Sequence, residues 1–485
     1  MKKTTALLLI AAPLVFSACK KSKDSDTSIY ELPYNTEDVT ANKAFMETEG
    51  RDFVQKIDDL SSNPAIEALE NFNMLEAPEV DITVNAVKKL GAGPQIIAAV
   101  NSALSSITTN SVTEKKSYQL SKAFGIYKYN QISKEWDLTA SNDKIEFHFP
   151  ATQNGNTNNT VLTITYKKSG KSHVINSTHY DYVYNPGTGN YDPVEVNTEE
   201  TYELPSELLA KMTINSSEVM NLSSIYTYQD DNLPKMVTVN LSLGSYAAKL
   251  EVNSDSKVAG TKFSFSKGAE TLVALEANSN FSSLSYDNLV NSEDDEALDL
   301  FVSANTTFAL GNVTMGGQID YKTIHNELKT IRDKEPAYPD WDTYFGNIKY
   351  PVYEEYNSQQ EYQDAVDEYW EKMEAANILY DAAYQKYRSD NEKFEKEYYT
   401  LFASLLNKHS AAVVVNTKTK KKIAAITFVL KDDVYQYGNT TVHEYNVEPL
   451  LVFGDGSKVS FEVFGETGFE NLIDDIEALL EKFEN

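Results

Sequence analysis

The chain has little of what most catalytic and metal centres are made from. Its 485 residues include one cysteine and six histidines. A single cysteine excludes an internal disulfide framework and any cysteine-rich metal knuckle. The histidines (His148, His173, His179, His325, His409 and His443) nowhere form a His-Glu-x-x-His pair, so the spacing that puts two imidazoles on one helix face is missing. There is no Gly-x-Ser-x-Gly elbow, no Gly-x-x-x-x-Gly-Lys loop and no dinucleotide fingerprint after a strand, which leaves no recognisable cradle for a nucleophile or a phosphate. Positive charge is short as well. With 43 Lys and Arg against 72 Asp and Glu the net charge is −29, and binding along a nucleic acid needs a local excess of the opposite kind. Neither a cofactor, nor a metal, nor a nucleic-acid partner is expected, and no enzymatic motif is found.

Long hydrophobic runs are absent after the first twenty residues. The most apolar later stretch, Ile96 to Ile107, is interrupted by Asn101, Ser102, Ser105 and Ser106 and reads as a core helix rather than a span. The composition, 41% hydrophobic and 24% charged, is that of a globular chain, and at roughly 100–200 residues per domain there is length for two to four.

The amino terminus carries the sharpest signal. Lys2 and Lys3 precede an apolar run, Ala6 to Phe16, which is half the length of a membrane-spanning helix and suits an export signal. Phe16-Ser17-Ala18-Cys19 then leads small residues into the only cysteine. This resembles the lipobox of bacterial lipoproteins. The resemblance implies cleavage before Cys19, a diacylglycerol on its thiol and an acylated (palmitate-type) new amino terminus. Several acyl chains give stable anchoring, since each buried CH₂ contributes roughly 0.8 kcal/mol. Lys20 to Ser28, a mixture of lysine, serine and aspartate, reads as a polar tether. Similar short charged stretches follow the cysteine in lipoproteins of the Bacteroidota, and the mature chain, notably Pro449 to Phe464, is similar to lipoproteins of that group with no known activity. Lys20 is not the aspartate that retains many lipoproteins in the inner membrane. The outer membrane is therefore expected, on the periplasmic or the cell-surface side.

The mature chain changes period four times. From Glu37 to Val112 it is helical, with Phe45, Phe53, Val54, Ile57 and Leu60 at helical spacing, Asn63-Pro64 at a helix start and a break at Gly91-Ala92-Gly93-Pro94. From Gln119 to Asp320 the period is two: Ile145, Phe147 and Phe149; Val237, Val239, Leu241 and Leu243; Phe263 and Phe265. Turns are expected at Asn154-Gly155-Asn156, Lys168-Ser169-Gly170, Asn185-Pro186-Gly187, Gly244-Ser245 and Lys267-Gly268. Clean alternation means antiparallel strands buried on one face. Between Asp320 and Ser410 helix returns. Tyr362, Val366, Tyr369, Met373, Ala376, Tyr380, Ala383 and Tyr387 keep a 4,3 spacing, and Phe394, Tyr398, Leu401 and Leu405 resume it. The 3.5-residue repeat calls for a packing partner, for which Tyr321, Ile324, Leu328 and Ile331 are in place. Ser358 with Glu361 forms a capping box at the start, and Ser389 with Glu392 is a second one where the helix could divide. Sheet resumes in Ala411–Asn416, Ile423–Leu430, Pro449–Phe453 and Lys458–Phe464, with Gly454-Asp455-Gly456 as a hairpin turn, before a closing helix on Phe469, Leu472, Ile473, Ile476, Leu479 and Phe483.

The expected fold is α+β: a curved, mainly antiparallel sheet, open or half-barrel-like, with an N-terminal helical layer, an inserted long helical hairpin and a C-terminal helix. The expected segments are 1–18 signal peptide, 19–36 lipidated cysteine and tether, 37–112 helical region, 113–320 β region, 321–410 helical insertion, and 411–485 hairpins that complete the sheet plus the last helix.

Candidate ligand chemistry is confined to aromatics, with 31 Tyr, 21 Phe and 3 Trp. Alternation puts Tyr180, Tyr182 and Tyr184 on one strand face with Tyr191 just beyond. Such a row suits stacking on sugar rings or a peptide, or cross-strand packing of a half-exposed sheet. Trp341, in a proline-tyrosine loop, reads as a recognition tip or as a pin holding the loop to the helices. Glu293-Asp294-Asp295-Glu296 with Asp299 offers calcium-type oxygens without the central glycine of a calcium loop, so a solvated acidic turn is the better reading. Lys418-Thr419-Lys420-Lys421-Lys422 is the only dense basic cluster and reads as a blunted hairpin edge or, alternatively, as a phosphate or lipid-headgroup contact. The leading functional expectation is a lipid-anchored, non-enzymatic binding or assembly module, with a protein partner for the helical insertion. The alternatives are a carrier of an apolar ligand or lipid in a curved-sheet cavity, and a glycan-capture or glycan-processing protein.

Overall fold

The computed structural model describes residues 28–75, 116–185, 190–229, 234–283, 300–438, 440–466 and 468–484. Cys19, the Gly91–Pro94 break, the Ile96–Ile107 stretch and the Glu293–Asp299 turn lie outside them.

Two helices open the described chain, α1 (Val39–Ile57) and α2 (Pro64–Met74). The Asp38 carboxylate caps α1 by accepting from the Ala41 N–H at 2.8 Å, and the Asn63 side chain caps α2 through the Ala65 N–H at 2.9 Å; Pro64, whose missing N–H costs nothing at that position, starts α2. Strands follow: β1 (Lys116–Tyr118), β2 (Gly125–Tyr129), β3 (Trp136–Ala140), β4 (Lys144–Phe149), β5 (Thr160–Asn185), β6 (Asn190–Ile214), β7 (Ser217–Tyr228), β8 (Pro234–Leu243), β9 (Tyr246–Ser254), β10 (Val258–Lys267), β11 (Glu270–Phe281), β12 (Phe301–Leu310) and β13 (Val313–Ile319). Helices α3 (Tyr321–Arg332), α4 (Trp341–Phe345) and α5 (Gln359–His409) interrupt them. The chain ends in β14 (Ser410–Asn416), β15 (Lys421–Tyr437), β16 (Thr440–Phe453), β17 (Lys458–Ser460), α6 (Phe461–Gly465) and α7 (Glu470–Glu484).

All the strands belong to one sheet. From β4 to β17 each strand pairs antiparallel with the next in sequence, β2 lies parallel to β4, and β3 is the edge beside β2. The sheet is curved and unclosed. β1 adds a short parallel pairing to β6 at Glu200–Tyr202.

Cross-strand register fixes which face each side chain takes, because directly opposed residues share a face. Phe147 opposes Leu162, which opposes Met212, and these pack under Ala65, Ala68 and Phe72 of α2. Phe72 meets Phe147 edge-on at 5.1 Å between ring centroids. Further round, Val313, Val414, Leu451 and Phe453 pack under α1 and α6, and Ile319, Phe428 and Val447 under α3 and the end of α5. Residues at even spacing link the last two clusters within β13 and β16, so α1, α3, α6 and the end of α5 cover the same face. The other face of the central strands carries threonine, serine, lysine and glutamate and is held by cross-strand pairs such as Lys262–Glu276 at 2.9 Å.

The insertion leaves and returns through a single neck. Ile319 opposes Ser410 in the β13–β14 ladder, and the Asp320 N–H donates to the His409 carbonyl at 2.8 Å. β13 and β14 are thus a hairpin whose turn has been replaced by residues 321–409. The strands between Ser410 and Ser460 continue the sheet formed by those before the insertion.

Three local expectations are corrected. Lys168-Ser169-Gly170 is no turn: β5 runs through it as a bulge, the register moving from Lys168–Pro205 to Ser172–Glu203 while Gly170 takes φ +80°. The extra residues are absorbed in one strand because β6 continues unbroken opposite. Ser389-Glu392 does not divide α5, which is continuous over 51 residues and about 75 Å long at ~1.5 Å per residue; Asp390 instead pairs with Lys386 at 2.6 Å along the helix surface. The last hairpin strand stops at Ser460, where the serine hydroxyl caps α6 through the Val463 N–H at 3.2 Å and turns Phe464 into the core.

Candidate functional site

The clearest candidate is an apolar cavity of about 270 Å³ between the sheet and helices α1, α6 and α7. Its floor comes from β12–β16 (Phe308, Leu310, Met315, Val414 and Leu451 among them), and its roof from Met46 and Gly50 of α1, Phe461 and Phe464 of α6, and Leu472, Ile473 and Ile476 of α7. Every side chain in the lining is apolar. The roof is pinned from outside by polar pairs between the two ends of the chain: Arg51 with Asp475 at 2.7 Å, Asn471 with Glu47 at 3.0 Å, and Lys482 with Asp58. Gly50 lets α7 come this close, since a Cβ there would sit 2.6 Å from a methyl of Leu472. Such a space accepts hydrocarbon and rejects charge, because an unpaired polar group inside it would lose its hydration with nothing in return.

Burial pushes the hydroxyl pKa of Tyr166, Tyr226 and Tyr228 upward, and burial lowers that of His173.

A second candidate is the arm formed by α5 and the segment 333–358 that runs back along it. The 3.5-residue repeat finds its partner in two parts. Near the sheet, Ile324 and Leu328 of α3 pack on Leu405 and Leu406. Farther out the partner is an aromatic strap rather than a helix. Tyr338 meets Tyr384 and Tyr387, Trp341 meets Tyr380 at 5.3 Å, Tyr350 meets Tyr369 at 5.0 Å and Tyr353 meets Tyr362 at 5.1 Å. Each is an edge-to-face contact of the kind aromatic quadrupoles favour. The hydrogen bond from Tyr380 to the Tyr338 hydroxyl pushes the pKa of Tyr380 up to about 12. The expected hairpin of two helices is thus completed by α3 for its inner third only. Trp370, Ile378 and Leu379 stay 58–64% exposed on the outer side of α5.

The sequence-derived candidates separate. Trp341 opens α4, stacks on Phe345 at 3.9 Å and is still 53% exposed; it pins the strap to α5. Tyr180, Tyr182 and Tyr184 lie on β5 and Tyr191 on β6, with Tyr184 directly opposite Tyr191, in a two-stranded ribbon where their side chains are outside the described residues. The structure does not bring this row together with Trp341 through any described contact. The histidines are scattered: His148 pairs with Glu146 at 2.8 Å and His443 with Asp432 at 2.8 Å, on separate ribbons. Among the described residues no cluster of histidine, cysteine and carboxylates could hold a metal ion, and no helix is long and apolar enough to cross a membrane.

Sequence reasoning placed α7 and its apolar face correctly and missed the cavity beneath it. The signal lies in Phe461, Phe464 and Phe469, three aromatics on one short segment whose local pattern is that of a strand end and a helix start. The arrangement defines an open antiparallel sheet lined by helices, with an apolar chamber between the sheet and helices α1, α6 and α7. No known protein family, no curated protein and no solved structure matches the chain.

Proposed function

We propose that the protein is a lipid-anchored binding module of the cell envelope, held in the outer membrane through Cys19 and without enzymatic chemistry, which takes a small apolar ligand such as an acyl chain between its sheet and the α1–α7 pair. The supporting observation is the chamber of about 270 Å³ with a wholly apolar lining. That volume is near the lower end of ligand sites, ~300–1,000 Å³, which favours a single chain or small molecule over a whole lipid. The polar clasp of Arg51, Glu47 and Asp58 with α7 gives the roof a defined closed position that breaks at modest cost, because exposed pairs contribute only ~0–1 kcal/mol each.

The test is native mass spectrometry with lipid extraction on protein purified from its own envelope, followed by displacement of a fluorescent fatty acid. A reproducible co-purifying apolar molecule, lost in Met315→Trp, is expected. A ligand-free mass together with no fatty-acid binding would sink the reading. It would leave assembly through the arm, supported by exposed Trp370, Ile378 and Leu379, as the better account.

A further inference from the structure

From the course of the first described residues, we infer that the β14–β15 turn, Lys418 to Lys422, is the membrane-facing surface of the protein and contacts anionic lipid headgroups. The inference rests on the lipid anchor at Cys19 and goes beyond the ligand reading, on which it does not depend.

The chain emerging from the tether is fastened to this turn. The Asn35 N–H donates to the Lys422 carbonyl at 2.8 Å, and the Lys422 N–H donates to the Pro33 carbonyl at 2.8 Å, forming a parallel bridge with Tyr34. The Lys422 ammonium lies 4.6 Å from the centroid of the Tyr34 ring and donates to the Tyr30 carbonyl at 3.4 Å. Ile29 covers Gly316, where a Cβ would stand 2.3 Å from the isoleucine δ-methyl. Gly316 alternates with Met315 of the helix-covered cluster, so Ile29 lies on the opposite face of the sheet. The chain therefore starts on the uncovered face, crosses beside the turn and enters α1 on the other side. This crossing cannot swing away from the sheet without breaking those bonds.

Eight residues, and so nine Cα–Cα steps, separate Cys19 from Ser28. Fully extended they reach ~30 Å at 3.3–3.6 Å per residue, which is short beside the sheet: β15 alone runs from Lys421 to Tyr437, ~55 Å at about 3.3 Å per residue. The turn end of β15 is thus within the tether's reach and its far end is not. Lys418, Lys420 and Lys421 are exposed and form no ion pair with any described residue. Lys420 takes φ +53° at the tip, and Thr419 is held by the Asn416 side chain at 3.1 Å, so the turn is shaped locally. On a chain of net charge −29, one basic turn at the anchored end orients the molecule, because lysines near an anionic surface are attracted there while the acidic remainder is repelled.

The test uses the full-length acylated protein in phosphatidylethanolamine vesicles with and without phosphatidylglycerol, some lipids carrying a headgroup quencher. Since acylation consumes the only thiol, Thr419→Cys and Gln436→Cys each give one labelling site, at opposite ends of β15. The fluorophore at position 419 is expected to be quenched several-fold more than at 436 when phosphatidylglycerol is present. That difference should shrink at high salt and in the triple variant Lys418→Gln, Lys420→Gln, Lys421→Gln, which leaves Lys422 and its contacts intact. Equal quenching at the two positions in protein that floats with the vesicles would overturn the proposal alone. An unacylated Cys19, seen by intact mass, would overturn it together with the anchor.

Discussion

Removing residues 321–408 and joining Asp320 to His409 through Asn-Gly is expected to leave a folded, cooperative β protein. The geometry at the neck is already that of a two-residue hairpin, because Ile319 opposes Ser410 and the Asp320 N–H meets the His409 carbonyl at 2.8 Å. Sheet residues that lose cover include Ile319 and Tyr445, each 4% exposed, and the half-buried Phe428 and Val447; Tyr445 lies under Lys396 of α5. At ~1.5–3 kcal/mol for full burial of such a side chain, and about half that for the partial ones, exposure costs about 4–9 kcal/mol. Shortening the connection to two residues returns up to about 3 kcal/mol of closure entropy. The net loss, on the order of 5 kcal/mol, falls within the ~5–15 kcal/mol of an ordinary domain and is carried here by a 17-stranded sheet. Urea unfolding followed by far-UV circular dichroism should show one transition, with a modestly lower midpoint and a smaller slope because less surface is exposed. A broad, non-cooperative transition would refute the reasoning and make α3 and α5 part of the sheet's own core.

Cys19→Ala should yield an unlipidated chain released from membranes on fractionation; a membrane-retained, acylated variant would overturn the anchor. Tyr380→Ala removes edge contacts to Trp341, Tyr344 and Phe345, about 2 kcal/mol or more at ~0.5–1.5 kcal/mol per aromatic pair. Proteolysis within 333–357 should accelerate by about 30-fold while the melting of the sheet is unchanged. Burial tends to raise the pKa of Glu146, but hydrogen bonds from Lys144 at 2.5 Å and His148 at 2.8 Å hold it below the usual carboxylate range. A depressed native pKa stabilises the fold above the ordinary carboxylate value, and that stability is lost as pH falls through the native one. Glu146→Gln should therefore flatten the acid limb of the stability curve, and an unchanged limb would refute the assignment.

The strands were legible because each buries one face only, so Ile145, Phe147 and Phe149 announce their sheet by simple alternation. The long helix was legible for the corresponding reason, its 4,3 repeat running from Tyr362 to Leu405. What that repeat packs against was not. Tyrosines in an irregular segment such as Tyr338 to Tyr353 have no period of their own, and their role is defined only by the helix beside them. The bulge at Lys168–Gly170 imitated a turn because both need a residue that tolerates positive φ. The cavity is the product of segments far apart in sequence, from Met46 to Ile476, and no local pattern records such a meeting.

The clasp between α1 and α7 also sets an order of events. Arg51 and its partner Asp475 are 424 residues apart, so α1 is made long before the helix that clasps it. Until α7 is made, the apolar stripe of α1, with Phe53, Val54 and Ile57, lacks that cover, and the contact is among the most non-local of the described residues. A chain stalled before residue 470 would therefore display a finished sheet with an open chamber, and α7 would act as its stopper.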